Sequence, residues 1–232
     1  YGLTLGGAQG GSMTSIIGTS TGTLTKEGTG TWTLSSANTY TGLTTVSAGT
    51  LAYAVNNAIS TGAVTVNGST AVLALGTYTD SVGAVTLTAG SITGTGSSTQ
   101  GILTSTSGFT LNPVSAATVS VSANLAGGVN LTHSGAGTAN LSGYNAYTGT
   151  TTLNATGGVL AITGSGSISG TSAGVYSAAI SIGTGTTFIY SSSTDQTLQT
   201  GVISGAGNLT KDTGTSSVLT LSGTNTYTGI TT

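Results

Sequence analysis

Hydrophobic and polar residues alternate along almost the whole chain. Val, Ile and Leu occupy every second position of short segments, and Thr, Ser or Asn occupy the positions between them. Examples are residues 63–66, 84–87, 118–121, 179–182 and 218–221. Gly-rich corners separate these segments, as at 94–96, 127–128, 164–166 and 205–207. A period of two with glycine corners predicts short β-strands with one buried face, and no segment has the 3.6-residue period of a helix.

A motif of about 30 residues recurs three times. The pentapeptide Asn-Thr-Tyr-Thr-Gly occupies residues 38–42 and 225–229, and Asn-Ala-Tyr-Thr-Gly occupies 145–149. Each pentapeptide follows a Leu-Thr-Lys or Leu-Thr-His segment and then a second strand pattern. The three copies extend over residues 22–51, 129–160 and 207–232. An internal repeat of this kind predicts units that bury their apolar faces only against their neighbours.

The spacing of the repeat tyrosines, Tyr40, Tyr147 and Tyr227, limits the size of one unit. The first and second intervals favour four and three coils of about 27 residues, although coils of about 20 to 22 residues fit almost as well. Stacking at ~4.8 Å then gives nine to eleven coils and a rod of roughly 40 to 50 Å. We therefore expect one all-β domain over residues 1–232, a β-solenoid without any α-helix longer than two turns. A β-sandwich does not explain the recurrence.

The composition narrows the possible partners. Charged residues make up 3% of the chain and the formal net charge is −2, so a phosphate backbone finds almost no cations to neutralise it. Hydrophobic residues reach 36%, and their regular spacing argues against a disordered low-complexity chain. The chain has no cysteine and no apolar run near the ~20 residues that span a bilayer. We expect no nucleic-acid partner and no membrane insertion of this segment.

The first copy carries a family resemblance. Residues 22–51 read GTLTKEGTGTWTLSSANTYTGLTTVSAGTL. This run resembles the autotransporter-associated β-strand repeat found in passenger regions of large bacterial surface proteins. The third copy matches as well as the first, whereas the middle copy departs at Ala139, Asn140 and Ala146. The resemblance implies a right-handed parallel β-helix exported to the bacterial cell surface, and it implies a scaffold rather than an enzyme.

The residues capable of catalysis form no recognisable group. His133 is the only histidine, and the repeat alignment places it where the other copies have Lys26 and Lys211, which we interpret as a solvated corner. The carboxylates Glu27, Asp80, Asp195 and Asp212 are far apart in the sequence. No Gly-x-Ser-x-Gly elbow supports a Ser-His-Asp triad, and no ligand spacing suggests a metal. We expect no catalytic, metal or cofactor site, and no enzyme.

The large side chains of the repeats have two interpretations each. Trp32 has the parity of Leu34, so it either fills the core or forms an exposed binding anchor. Tyr40, Tyr147 and Tyr227 either cover the ends of coils, with the preceding Asn satisfying corner backbone groups, or stack on sugars. Leu34, Leu141 and Leu221 are expected at equivalent inward positions.

Thr-x-Thr units suggest one further alternative, an ice-binding face. They occur at 31–33, 39–41, 86–88 and 184–186. Such a face needs threonines at one registered position in consecutive coils, and these units fall at irregular intervals. We therefore expect a structural role first: a stalk, an adhesin shaft or a filament subunit.

The ends of the chain suggest self-association. The third repeat stops at Thr232, and Tyr1 to Leu5 open without a polar cap, so both terminal coils expose unpaired strand edges. We expect either covalent continuation of the rod or head-to-tail stacking of subunits through these coils, with a surface or glycan partner as a further possibility.

Overall fold

The structure is a computed structural model that describes residues 1–95, 97–168, 174–212 and 216–232. Its described residues form short strands and no helix. The strands are β1 (Leu3–Leu5), β2 (Gly11–Met13), β3 (Leu24–Lys26), β4 (Thr31–Leu34), β5 (Thr44–Val46), β6 (Thr50–Tyr53), β7 (Val64–Val66), β8 (Val72–Gly76), β9 (Asp80–Val82), β10 (Val85–Leu87), β11 (Ser91–Gly94), β12 (Ile102–Ser105), β13 (Phe109–Leu111), β14 (Thr118–Val121), β15 (Asn124–Gly127), β16 (Leu131–His133), β17 (Thr138–Leu141), β18 (Tyr144–Tyr147), β19 (Thr151–Leu153), β20 (Val159–Gly164), β21 (Ser167–Ile168), β22 (Val175–Tyr176), β23 (Ile180–Ile182), β24 (Thr187–Ser192), β25 (Gln196–Leu198), β26 (Ile203–Ser204), β27 (Asn208–Lys211) and β28 (Leu219–Leu221).

Two long parallel sheets run side by side along the molecule. The first long sheet has ten strands in the order β1-β3-β5-β7-β10-β13-β16-β19-β23-β26. The second long sheet also has ten, in the order β2-β4-β6-β8-β11-β14-β17-β20-β24-β27. The third side is built from a five-stranded sheet, β21-β18-β15-β12-β9, and a three-stranded sheet, β22-β25-β28. Each coil thus places one strand in each long sheet, the strands of the third side begin at β9, and the chain is a parallel β-solenoid of about ten coils, as the sequence predicted.

The coils contain fewer residues than the length of about 27 that the tyrosine spacing favoured. In the first long sheet Leu24 pairs with Thr44, and Thr44 pairs with Val64, so each of these coils contains about 20 residues. The shorter of the two coil lengths compatible with the sequence is therefore correct, and the longer one is wrong. Tyr40 and Tyr147 are five coils apart. One coil is much longer than the others, because Thr151 pairs with Ile180.

Aliphatic side chains fill the interior along both long sheets. In the second long sheet, consecutive coils stack Leu51, Leu73, Ile92, Val121, Leu141 and Ile162, all at most 1% exposed. Burying each such side chain stabilises the fold by about 1.5–3 kcal/mol before the entropy of ordering is subtracted. Because each coil covers the apolar face of the next, stability depends on the unbroken stack.

The third repeat lies one side out of phase with the first two. Leu24 and Leu131 begin strands of the first long sheet, but Leu209 lies in a strand of the second. The strand that contains Leu34 or Leu141 belongs to the second long sheet, whereas Leu221 ends β28 on the third side. Leu34 and Leu141 are 0% exposed and Leu221 is 36% exposed. The expectation that all three are equivalent is wrong for Leu221, because the local motif is preserved while its side of the solenoid changes.

Candidate functional site

The outward face of the first long sheet carries one hydroxyl residue per coil. Its strands place one outward residue between two inward ones, so a single side chain from each strand faces solvent. From the first coil to the last, the residues are Thr4, Thr25, Thr45, Thr65, Thr86, Thr110, Thr132, Thr152, Ser181 and Ser204. We call these eight threonines and two serines the hydroxyl column.

The hydroxyl column is continuous and in register. Each member is paired through its Cα with the next, and no register shift interrupts the first long sheet. Parallel strands lie ~4.8 Å apart, so the column repeats at that interval. Thr4 is exposed and the other nine are half-exposed. Threonine is stiff about χ1, which limits the orientations of each hydroxyl and methyl group.

The Thr-x-Thr units of the sequence do not build this face. Thr31 lies on the second long sheet, and Thr39 lies in a corner. Thr186 is 0% exposed, and its Oγ1 donates to Gly183 O at 2.7 Å. Of the units considered, only the one at 86–88 contributes to the column, through Thr86. The Thr-x-Thr units are irregularly placed, as the sequence indicated, and the registered feature is a single threonine per strand in each of the first eight coils.

The corresponding outward column of the second long sheet is mixed. In consecutive coils it contains Thr31, Thr50, Val72, Ser91, Ser120, Asn140, Ala161, Ile189 and Thr210. A local register shift between Thr93 and Gly94 also occurs at the end of one strand of this sheet. The uniform chemistry therefore belongs to one side of the solenoid only.

Lys26 is buried inside the solenoid and does not occupy a solvated corner. It ends β3 with its side chain inward and 0% exposed. Its Nζ donates to the carbonyl oxygens of Glu27, Gly28 and Ala48, each at 2.8 Å. Desolvation lowers the pKa of Lys26, and the nearby Glu27 carboxylate opposes that change. The three carbonyls compensate for the lost water. The signal in the sequence was the spacing, because Lys26 lies two residues after Leu24 and therefore on the same, inward face of the strand.

His133 occupies the matching position of the second repeat and is also buried, at 0% exposure. Its Nδ1 lies 3.1 Å from Leu111 O and its Nε2 lies 3.1 Å from Gly137 O. Desolvation lowers the pKa of His133, and the two carbonyl contacts partly offset that effect. The solvated-corner interpretation is wrong here too. Both ring nitrogens face backbone carbonyl oxygens, so within the described residues neither is directed at a hydroxyl nucleophile.

The repeat tyrosines lie inside the coils, not over their ends. Tyr40 and Tyr147 are 0% exposed, and their hydroxyls pair with Thr44 Oγ1 at 2.6 Å and Thr151 Oγ1 at 2.8 Å. Tyr227 makes the same contact with Thr231 at 2.6 Å, although it remains half-buried. Buried rings offer sugars no stacking surface, so the sugar-stacking interpretation is wrong for Tyr40 and Tyr147.

Asparagines before these tyrosines link neighbouring coils, as expected. Asn38 Oδ1 accepts from the Ile17 backbone N–H at 2.7 Å, and Asn38 Nδ2 donates to Ala58 O at 2.6 Å. Asn225 Oδ1 likewise accepts from Ile203 N–H at 2.9 Å. Each amide satisfies backbone groups that the corner would otherwise leave unpaired.

Asp80 satisfies backbone N–H groups as these asparagines do, but with a carboxyl group. Its Oδ2 accepts from Ile59 N–H at 3.1 Å and its Oδ1 accepts from Ser81 N–H at 2.7 Å. Burial raises the pKa of Asp80 to about 6, although these two bonds lower it. Tyr53 lies close enough to interact electrostatically, yet its buried hydroxyl has no hydrogen-bond partner of normal geometry. A groove of about 480 Å³ opens beside Asp80 and Asn38.

The remaining candidate residues stay apart. Trp32 is half-buried, packs against the core and donates from Nε1 to Gly6 O at 2.8 Å, so it is a core residue. Asp195 Oδ1 accepts from Val218 N–H, and Asp212 Oδ2 accepts from Ser191 Oγ. Among the described residues, no three His, Cys, Asp or Glu side chains could hold a metal ion together. The described ranges also contain no helix of the length and apolarity needed to cross a membrane.

Comparison with known families identifies the repeats. Residues 24–52, 131–162 and 213–232 match the passenger-associated-transport-repeat. These segments overlap the three copies found in the sequence and confirm the resemblance to autotransporter passenger repeats. No curated protein and no solved structure matches the chain significantly. Together with the solenoid, these repeats support a structural domain similar to an autotransporter passenger.

Proposed function

Because three passenger-associated transport repeats are built into one continuous solenoid, we propose that the chain is a rigid segment of a bacterial surface protein. It acts by steric extension, as a stalk or adhesin shaft. Ten coils at ~4.8 Å add roughly 50 Å of length. The observation that carries this proposal is the unbroken stack of ten strands in each long sheet.

Surface display is tested in the bacterium that produces the protein. Antibody against the chain should label intact cells, and the displayed segment should resist added protease. Leu141→Asp places a charge at a position that is 0% exposed, so it should make the segment protease-sensitive. The matched control is Asn140→Asp, the outward neighbour on the same strand. Antibody labelling that requires permeabilised cells would refute surface display.

The proposed mechanism needs no reaction chemistry. His133 contacts backbone carbonyls, and Asp80 contacts backbone N–H groups. We therefore expect His133→Leu to leave surface display and any adhesive property unchanged. Loss of a measurable catalytic activity in this variant, without loss of folding, would contradict the proposal.

We also propose that copies of this rod associate with one another. A nearly uncharged, hydroxyl-rich surface provides little electrostatic repulsion between rods. We expect sedimentation velocity to show reversible association, end to end or lateral, as the concentration rises from micromolar to millimolar. A single monomeric species over that whole range would remove this part and leave the stalk role standing.

A further inference from the structure

We propose that the outward face of the first long sheet binds ordered water at the surface of ice. This function is separate from the stalk role. It rests on the hydroxyl column, whose ten members occupy one register position in ten consecutive coils. A lattice of water molecules presents rows of oxygen atoms at a fixed interval. A column of stiff side chains at a fixed interval can match such a row, whereas irregularly placed hydroxyls cannot.

The fold does not require this uniformity. The second long sheet stacks the same coils on an equally aliphatic interior, and its outward column includes Val72, Asn140, Ala161 and Ile189. Solenoid stacking and β propensity act on both sheets alike. The difference between the two sheets therefore concerns what the outer faces meet, and not how the coils stack.

The positions on either side of the column carry few of the charged or aromatic side chains that other kinds of partner would need. Two residues before each column member lie Gly2, Thr23, Leu43, Ala63, Ala84, Gly108, Asn130, Thr150, Ala179 and Val202. Two residues after each lie Gly6, Glu27, Ser47, Asn67, Thr88, Asn112, Ser134, Asn154, Gly183 and Ala206. None of these positions is buried.

The ten column members and the twenty flanking positions, all within the described ranges, favour water over other ligands. Glu27 is their only charged residue, so charged lipids, nucleic acids and ionic minerals meet no complementary charge. They contain no aromatic residue, so a sugar ring has no stacking platform. Their largest exposed apolar side chains, Leu43 and Val202, are only 39% and 37% exposed and lie towards opposite ends of the sheet. What the face offers is a regular set of threonine methyl and hydroxyl groups.

The test measures thermal hysteresis and inhibition of ice recrystallisation with the whole chain. We expect both activities at micromolar protein. The double variant Thr110→Lys/Thr132→Lys interrupts the middle of the column with two long charged side chains, and it should reduce both activities at least tenfold. The matched control, Ser120→Lys/Asn140→Lys, makes the same change on the second long sheet of the same coils and should keep wild-type activity.

Further measurements separate ice binding from its alternatives. Circular dichroism and melting temperature should be alike for the two double variants, which excludes unfolding as the cause of lost activity. The proposal is overturned by a wild-type chain without thermal hysteresis, or by equal losses in both double variants. It is also overturned if the column variant abolishes a dimer or the binding to insoluble cellulose while ice activity is absent.

Discussion

The two long sheets share an interior and differ on the outside. Both stack ten strands in parallel over buried aliphatic columns, yet one presents a hydroxyl residue from every coil and the other presents a mixture. Inward positions are constrained by packing against the coils above and below. Outward positions are free of that constraint, so the two outer columns can differ in composition while the interiors stay alike. The third side differs again, because polar groups such as Asn38, Asp80 and Asn145 are buried there.

The largest expected effect tests whether the two interiors are equivalent. Leu87→Ala in the first long sheet and Leu141→Ala in the second should each lower the free energy of unfolding by about 2–5 kcal/mol. Both residues are 0% exposed in the middle of the stack. Urea denaturation followed by circular dichroism measures both. Leu221→Ala is the control at a 36% exposed edge, and it should cost clearly less. A harmless Leu141→Ala would mean that this sheet is not packed as described.

Asp80 provides the next effect, through pH. Its pKa is raised to about 6 in the fold, so the protonated carboxyl is the form that the native state favours. The stabilisation is therefore fully present below the unfolded pKa near 4 and is lost as pH rises through about 6, by on the order of 3 kcal/mol. Asp80→Asn should remove this loss. The measurement is unfolding free energy at pH 4 to 8, and an unchanged pH profile in the variant would contradict the assignment.

His133 should act in the opposite direction. Its pKa is lowered in the fold, so its neutral form is favoured there. The contribution is present above the unfolded pKa of about 6.5 and is lost as pH falls through the lower, folded value. His133→Leu should reduce this acid sensitivity. Leucine suits the site because Leu111 and Leu153 are its neighbours in the same inward column. A variant that keeps the full acid sensitivity of the wild type would exclude His133 as its source.

Lys26 sharpens the comparison between the first two repeats. Lys26→Met keeps most of the volume but leaves three carbonyl oxygens without their donor. We expect a loss of about 1–3 kcal/mol in unfolding free energy, because unsatisfied buried acceptors are costly. His133→Leu at pH 8 should cost less, since Leu111 O and Gly137 O each also accept a backbone N–H. A larger loss for His133→Leu would reverse this explanation.

The smallest effect compares the two outer columns directly. Asn140→Thr puts a good strand former on the second long sheet and should raise the unfolding free energy by a few tenths of a kcal/mol. Thr132→Asn makes the reverse change one side away in the same coil and should lower it by about the same amount. Thermal melts of the two variants measure the pair. Changes well above ~0.5 kcal/mol would show that the outer columns also carry packing constraints.

The sequence was sufficient for the fold because alternation and glycine corners are local signals. The inward positions of Lys26 and His133 were also accessible, since each has the parity of the leucine two residues earlier. What overrode that signal was the expectation that charged or imidazole side chains prefer water. Backbone carbonyls replace the water here, and they are brought together by the path of the next corner, which parity alone does not describe.

Other features depended on how coils align, which short motifs do not encode. The hydroxyl column becomes visible only when the coil length is known, because its members lie one whole coil apart and the coils differ in length. The burial of Asp80 follows from the coil that precedes it, whose Ile59 N–H needs an acceptor. The exposed position of Leu221 follows from the displaced third repeat.

The shift of the third repeat to another side of the solenoid has a consequence for how such rods evolve. Around Asn225 and Tyr227 the third repeat reproduces the Oδ1 hydrogen bond of Asn38 and the hydroxyl contact of Tyr40, although it starts on another side. The motif therefore encodes a corner and the strands beside it, and it begins on two different sides of this solenoid. Duplication of a segment need not comprise whole turns. An insertion of one third of a turn rotates all later coils about the long axis by one side relative to the earlier coils. One insertion can therefore move a functional face to another side without altering a residue on it.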